Sequence, residues 1–293
     1  MAVPDWPSTY GFNMFAYPWQ TWVYGPWDLF IEHGHRLVAS TVGLVTMACV
    51  AVVYRSDKRV WVRRLSLAAL ALVIAQGVLG GVRVTEIDRT LAMVHGCTGP
   101  LFFALTALLW AVTSRTWFEV GATIRRGAGE WLLAAAVLAY LQLCLGAQLR
   151  HVAPATGMWA FAAIVKLHLA GAAVLAVVVT TAALRVLRQP AAPRGLRMLS
   201  AVLMVLLAVQ IALGVGAWLL KYGAPGWAVG WLPVTMEATL ADGMWQTHMA
   251  TAHSSCGSLI LAIATAAAAY SLRHTESTRV DSEPAAPVAG ATA

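Results

Sequence analysis

The chain has 293 residues, of which 59% are hydrophobic and only 11% are charged. Soluble globular proteins have about 25% charged residues, so this composition excludes an ordinary water-soluble domain and indicates an integral membrane protein. The net charge of +7 does not require a nucleic-acid partner, because basic loops beside anionic lipid headgroups account for it.

Seven segments carry the roughly 20 mostly apolar residues that a helix needs to cross the hydrocarbon core. In chain order they are Leu29–Tyr54, Leu65–Val82, Leu91–Thr113, Trp131–Leu149, Ala162–Leu187, Met198–Leu220 and Trp245–Leu272. The sequence therefore predicts an all-α membrane protein with seven transmembrane helices. Residues 1–28 form an outer segment before the first span, and the polar tail 274–293 is expected to be disordered.

Basic residues mark one side of the predicted bundle. The connections after the first, third and fifth spans are RSDKRVWVRR, SRTWFEVGATIRR and RVLRQPAAPRGLR, whereas the other connections are much less basic. Short cytoplasmic loops collect Lys and Arg, so the pattern predicts an N-terminus outside the cell and a cytoplasmic C-terminus. The lack of an Arg-rich and Ser-rich transit segment favours a bacterial plasma membrane.

Two repeated patterns mark alternate spans. Gln-x-x-Leu-Gly occurs near the predicted outer ends of the second, fourth and sixth spans, at Gln76, Gln142 and Gln210. A histidine lies near the outer end of each remaining span, at His35, His95, His168 and His253. The interval from Gln76 to Gln210 nearly equals that from His35 to His168, so we interpret the chain as one four-helix unit present twice.

The two predicted halves are an N-terminal half-bundle, residues 29–113, and a C-terminal half-bundle, residues 130–272. Each unit would contain a Gln helix, a His helix, a second Gln helix and a second His helix. The N-terminal half begins with a His helix, so its first helix is missing. We expect that helix either to precede Met1 or to have been lost.

The four repeated histidines are candidate haem ligands. Each has a small residue four positions further along the same face: Ala39, Gly99, Ala172 and Gly257. Two imidazoles on facing helices, with their neighbouring turns cleared of bulk, suit bis-histidine haem ligation. Alternatively, a membrane histidine hydrogen-bonds a neighbouring helix and the small residues serve close packing. Four histidines at equivalent positions favour ligation, and two such pairs would give two haem sites.

The stretch EHGHR at the start of the first span adds Glu32 and Arg36 to His35. Glu32 lies one turn before His35 on the same face, where the second half has Val165. A carboxylate there is suited to proton exchange near a porphyrin. Alternatively, Glu32 pairs with Arg36 and anchors the helix, and that pair would also position the carboxylate or a haem propionate.

The other histidines are expected to have different roles. His248 is five residues from His253 and therefore points to a different helix face. His33 and His151 are expected at the membrane interface, solvated or bonded to headgroups, and His274 lies in the tail.

Together these features resemble the haem A synthase family. The resemblance covers essentially the whole chain and rests on EHGHR from Glu32, QGVLGGVRV from Gln76, HGCTGP from His95, VPDWPSTYG from Val3 and the duplicated unit. Members of that family have eight spans in two halves. They oxidise a methyl group of haem O, through a hydroxymethyl intermediate, to the formyl group of haem A for terminal oxidase assembly.

The resemblance implies a role for each half. The N-terminal half would hold haem O as substrate and haem A as product, with Glu32, His35 and His95 as catalytic residues and Arg36 in contact with the haem. The C-terminal half would hold a b-type haem that relays electrons, with iron ligands His168 and His253.

The resemblance also implies partners: membrane lipid, haem O synthase, a cytochrome oxidase subunit, an electron donor of unknown identity and a second copy of the chain in a homo-oligomer. Two features depart from the family. Val3 and Ser8 stand near places where members often have cysteines, and the eighth helix is missing.

Two other functions are compatible with the sequence. A di-haem electron-transfer cytochrome without hydroxylase activity would use all four histidines but would not need Glu32. A transporter or assembly scaffold is also conceivable, since repeats in membrane proteins build transport sites. Here, however, the polar groups cluster near one face of the predicted bundle.

Overall fold

The structure is a computed structural model that describes residues 2–118, 124, 127–152, 156–223 and 243–275. Most of the tail that is predicted to be disordered, residues 274–293, lies outside the described residues.

The described residues contain seven long helices: α2 (Trp27–Ser56), α3 (Val60–Glu86), α4 (Arg89–Thr113), α5 (Ala128–Arg150), α6 (Met158–Leu187), α7 (Arg194–Tyr222) and α8 (Met244–Arg273). A five-residue helix, α1 (Trp19–Val23), precedes them, and Met14–Ala16 and Arg115–Phe118 are short 3₁₀ helices. All seven long helices are apolar enough to cross a membrane. The described ranges contain no named strand, which confirms an all-α, multi-pass membrane protein.

The helices extend beyond the apolar runs that predicted them. Helix α3 begins at Val60 rather than Leu65 and ends at Glu86 rather than Val82. The added turns carry charged residues, which stay helical because intrahelical hydrogen bonds continue outside the hydrocarbon core. Local capping then separates α3 from α4, since the side chain of Asp88 accepts a hydrogen bond from the Leu91 N–H.

Helices α5 to α8 form a closed four-helix bundle. Helix α5 packs against α6 and α8, and α7 packs against the same two helices. Fully buried alanines line these contacts, among them Ala135, Ala182, Ala264 and Ala267. Small side chains let helix backbones approach closely, which is how transmembrane helices associate without a hydrophobic driving force.

The N-terminal half is more open. Helix α3 packs against α2 and α4, and α4 packs against α8 of the second half. In the second half, both α5 and α7 pack against α6 and α8. Within the described part of the chain, α3 is the only helix that packs against both α2 and α4. Helix α2 therefore exposes apolar side chains along much of its length, including Val38, Leu44, Val45 and Val52.

One end of the bundle carries the repeated histidines. Helices α2, α4, α6 and α8 begin at this end, where α3 and α5 finish, and His35, His95, His168 and His253 lie within the first three turns of their helices. We call it the histidine end. The sequence predicts that it faces the outside of the cell.

Residues 2–18 fold onto the histidine end of the first half. Thr9 and Phe12 exchange two backbone hydrogen bonds across a two-residue turn, in which Tyr10 and Gly11 both have positive φ, as in a type I′ turn. The Trp6 indole lies against Gly81, where a Cβ atom would come within 2.3 Å of the ring. Glycine at position 81 thus permits the close approach of the N-terminal segment to α3.

Candidate functional site

The four repeated histidines meet as two pairs. The rings of His35 on α2 and His95 on α4 have centroids 6.4 Å apart and planes at 89°. The rings of His168 on α6 and His253 on α8 have centroids 6.3 Å apart and planes at 70°. The structure therefore brings the two repeated histidines of each half together, and the ring separation is nearly the same in both halves.

This ring separation fits a metal ion held between two imidazoles. Two metal–nitrogen bonds of about 2 Å each, with each nitrogen roughly 1 Å from its ring centroid, separate the centroids by about 6 Å. Within the described ranges, no group of three or more His, Cys, Asp or Glu side chains could hold a metal ion. A haem iron needs only two axial ligands from the protein, because the porphyrin supplies the other four.

Glycines of the Gln-x-x-Leu-Gly pattern lie directly against the histidine rings. A Cβ atom built on Gly80, Gly146 and Gly214 would lie 3.1, 3.5 and 2.9 Å from Cε1 of His95, His168 and His253, respectively. A side chain at Gly80 or Gly214 would therefore crowd its ring, whereas 3.5 Å at Gly146 is an ordinary van der Waals contact. The sequence pattern revealed these glycines, but not their contact with the histidines.

The glutamines of the same pattern tie the Gln helices to the His helices. Gln76 donates from Nε2 to the carbonyl oxygen of His95 at 3.2 Å and accepts at Oε1 from the Thr98 hydroxyl. Nδ1 of His253 lies 3.2 Å from the carbonyl oxygen of Gln210. When Nδ1 carries the hydrogen of that contact, Nε2 keeps the lone pair that a metal ligand requires. In this structure Nε2 lies 3.3 Å from Nε2 of the Gln210 side chain, which would have to move for His253 to bind a metal.

Both sites leave buried polar atoms without a protein partner. Within the described residues these include Nδ1 of His95 and of His168, and Oε1 of Gln142 and of Gln210. Buried polar atoms are normally hydrogen-bonded. These four, of eight such atoms in the described residues, are compatible with a site that binds a further group. The paired imidazoles and these unpartnered atoms fit a haem, although the space beside Gly99 holds the Gln76 amide and the space beside Gly257 holds Leu143 and Gln210.

Glu32 and Arg36 form an ion pair that holds the N-terminal segment. Glu32 Oε1 lies 3.0 Å from the guanidinium of Arg36, and its Oε2 accepts from the backbone N–H of Ala2 at 2.8 Å. Arg36 donates to the carbonyl oxygens of Val3, Asp5 and Ser8. The pairing expected at i, i+4 is therefore present, while a catalytic role for Glu32 and a haem contact for Arg36 stay predictions.

The interpretation of His33 as a solvated interfacial residue is wrong. Its side chain is 2% exposed and its Nδ1 lies 3.0 Å from the Thr9 hydroxyl. The rings of Tyr17 and Trp22 pack around it at centroid distances of 5.0 and 5.3 Å. The N-terminal segment folds over this histidine, and nothing in the apolar pattern of the first span indicates that contact.

His248 and His151 lie outside both pairs. His248 is exposed and stands edge-on to Trp245 at 6.4 Å. His151 is half-buried at the end of α5, where burial, followed by the charges of Arg150, Arg83 and Arg89, lowers its pKa.

Asp5 organises the turn of the N-terminal segment. It accepts hydrogen bonds from the backbone N–H groups of Tyr10 and Gly11 and from the Ser8 hydroxyl. Burial alone would raise the pKa of Asp5, but these hydrogen bonds stabilise its charged form and lower the pKa to about 2.

The two sites differ in composition. Val165 and Leu169 occupy the positions of Glu32 and Arg36 in the second half, so only the first site has this ion pair. His35 is exposed, whereas its counterpart His168 is half-buried beneath α5. The halves share nearly the same separation between paired histidine rings and differ in the groups around them.

Comparison of the chain with protein-family models, curated protein sequences and solved structures found no match. The function proposed below therefore rests on the residues, the geometry of the two sites and the resemblance of the sequence motifs.

Proposed function

We propose that the chain is a di-haem membrane protein in which each histidine pair supplies both axial ligands of a haem iron. The observation that carries this proposal is the nearly equal ring separation in the two halves, 6.4 and 6.3 Å. Glycines of the repeated pattern pack against three of the four rings. A haem supplies redox chemistry, while the protein supplies ligands, orientation and an apolar environment.

Within this class, we propose a haem A synthase, which oxidises a methyl group of haem O through a hydroxymethyl intermediate to the formyl group of haem A. The resemblance of the motifs supports this proposal, and so does the difference between the halves. Haem O as substrate would bind at His35 and His95, and a resident haem b at His168 and His253 would relay electrons to that site.

Glu32 is the proposed proton-handling group of the first site. It lies one turn from His35 on the same helix, and Arg36 holds it in place at 3.0 Å. A carboxylate fixed by an arginine and by backbone N–H groups keeps a defined position as its surroundings change. The equivalent residue in the second half is Val165, whose side chain cannot exchange a proton. This difference fits an electron-relay role for that half.

The proposal extends to the cellular setting. The basic connections favour a histidine end outside a bacterial plasma membrane and a C-terminus in the cytoplasm. The farnesyl tail of haem O favours transfer within the bilayer, from haem O synthase to this protein and onward to a cytochrome oxidase subunit. The electron donor would be a separate protein or small molecule.

A di-haem electron-transfer cytochrome is the second candidate. The observation that favours it is the complete engagement of Glu32, whose two oxygens contact Arg36 and the backbone of the N-terminal segment. In this case, Glu32 would stabilise the fold and take no part in chemistry.

Haem analysis of cells that make haem O separates the two candidates. Cells with the unaltered protein are expected to contain haem A or its hydroxymethyl precursor, and cells with Glu32→Gln are not. Glu86→Gln is the matched control, since Glu86 is an exposed carboxylate at the same end of the bundle. Bound haem b without any modified haem would instead support the electron-transfer cytochrome. Equal amounts of haem A in cells with the unaltered protein and in cells with Glu32→Gln would show that Glu32 is not required for the reaction.

A further inference from the structure

Arg83 lies on the face of α3 that contacts His95 of the first histidine pair. Gln76, Gly80 and Arg83 are four and three residues apart, so they form one stripe along the helix. Gln76 and Gly80 both contact His95. Arg83 continues the stripe by one turn toward the histidine end, beyond the glycine that contacts the His95 ring.

Arg83 has no acidic partner among the described residues. The two ion pairs found there belong to Arg36 and Arg59, and no hydrogen bond from the Arg83 guanidinium occurs in the described ranges. Its side chain is half-buried. A partly buried cation in a membrane helix costs free energy unless an anion or water compensates it, so this position suits an anionic ligand.

The cation is specific to the first half. The residues seven positions after the other two repeated glutamines are Leu149 and Ala217. Arg36 is the other buried arginine near this site, but its terminal nitrogens already donate to three backbone carbonyls and to Glu32. Arg83 is thus the guanidinium that remains available beside His35 and His95.

We propose that Arg83 binds a carboxylate of the tetrapyrrole held at His35 and His95, and that it acts as a positioning residue. This inference rests on the proposed haem site of the first half. A haem carries propionate carboxylates on one edge, and guanidinium groups bind carboxylates through directed, often bidentate, hydrogen bonds. Two axial ligands leave the macrocycle free to rotate about the axis that joins them. An anchored carboxylate removes that rotation and fixes which peripheral methyl group faces the reacting position.

The test compares ferric protoporphyrin IX with its dimethyl ester, which lacks the carboxylate charge. Each is titrated into the purified full-length protein that retains its second-site haem, and binding is followed by absorbance. The unaltered protein is expected to bind the acid about 10- to 100-fold more tightly than the ester, as for a hydrogen bond between charged groups. Arg83→Gln should abolish this preference and leave ester binding unchanged, whereas Arg83→Lys should retain part of it.

Arg89→Gln is the matched control, because Arg89 is an exposed cation at the same end of the bundle. Its position six residues before His95 places it on another face of α4. The control should keep the full preference for the acid. Retention of the second-site haem shows that each variant is folded.

Four results would overturn the inference. The first is equal binding of acid and ester by the unaltered protein, which is expected if Arg83 contacts only lipid headgroups. The others are an unchanged preference for the acid in Arg83→Gln, equal weakening of acid and ester binding in Arg83→Gln, and loss of the preference in Arg89→Gln. His35→Ala distinguishes this failure from failure of the proposed function. If the added haem binds equally well without His35, or does not bind the unaltered protein at all, the first haem site itself is wrong.

Discussion

Replacing Gly214 with alanine should displace His253, a proposed haem ligand, without weakening the helix. The added Cβ would lie 2.9 Å from Cε1 and 3.4 Å from Nδ1 of His253. Carbon atoms pack best at about 3.5–4.0 Å, so the ring must move by roughly 0.6–1 Å. That movement strains the 3.2 Å contact between Nδ1 and the Gln210 carbonyl oxygen, which orients the ring for ligation.

The expected loss of haem affinity follows from the cost of overpacking. Inserting a methyl group into a packed site costs about 1–3 kcal/mol, which corresponds to a roughly 5- to 150-fold weaker haem affinity. The helix itself gains up to about 1 kcal/mol from a Gly-to-Ala change. The assay is haem content per protein after purification, together with haem titration and the thermal unfolding midpoint.

Two matched glycines provide the controls. A Cβ on Gly146 would be 3.5 Å from Cε1 of His168, an ordinary contact, and a Cβ on Gly77 would meet nothing within 4 Å. Both alanine variants are expected to bind haem like the unaltered protein. Full haem retention by Gly214→Ala, or an equal loss in Gly146→Ala, would refute the argument that glycine clears space for the ring.

The N-terminal segment gives two further predictions. The native pKa of Asp5, about 2, is below its ordinary value of 3.8, so its stabilisation is present above pH ~4 and is lost as the pH falls through about 2. The rate at which an acid-active protease cleaves residues 2–12 should rise as the pH falls from about 4 to about 2. Asp5→Asn should raise the cleavage rate at neutral pH. A cleavage rate that neither the lower pH nor Asp5→Asn changes would contradict the reasoning. Arg36→Gln leaves Glu32 unpaired and should raise amide exchange in the segment on the order of a hundredfold, whereas Arg64→Gln, an exposed residue at the other end of α3, should leave it unchanged.

The fold was predictable because membrane helices obey a strong local rule. A run of about 20 apolar residues must be helical in a bilayer, and all seven such runs are helices. Their ends were less predictable, since turns rich in charge, such as Val60 to Arg64 in α3, remain helical outside the apolar run. Helix existence therefore follows from hydropathy, while helix length also depends on capping.

The candidate sites were partly predictable because duplication leaves a visible pattern. Equivalent histidines in two halves indicated pairs, and the structure places both pairs at nearly equal separation. The burial of His33 could not be read from its span, because it depends on Thr9 and on aromatic rings from a segment without helical periodicity. Long-range contacts of irregular segments leave no periodic signal in a single sequence.

Counting haems and identifying their ligands tests the central claim most directly. The purified protein is predicted to contain two haem sites, both with the low-spin spectrum of bis-histidine ligation once the first site is filled. His253→Ala should abolish haem binding at the second site, and His95→Ala should abolish it at the first. His248→Ala should leave both sites occupied, because His248 is exposed on another face of α8. Haem content that is indifferent to His95 and His253, or a protein that binds no haem, would contradict the account.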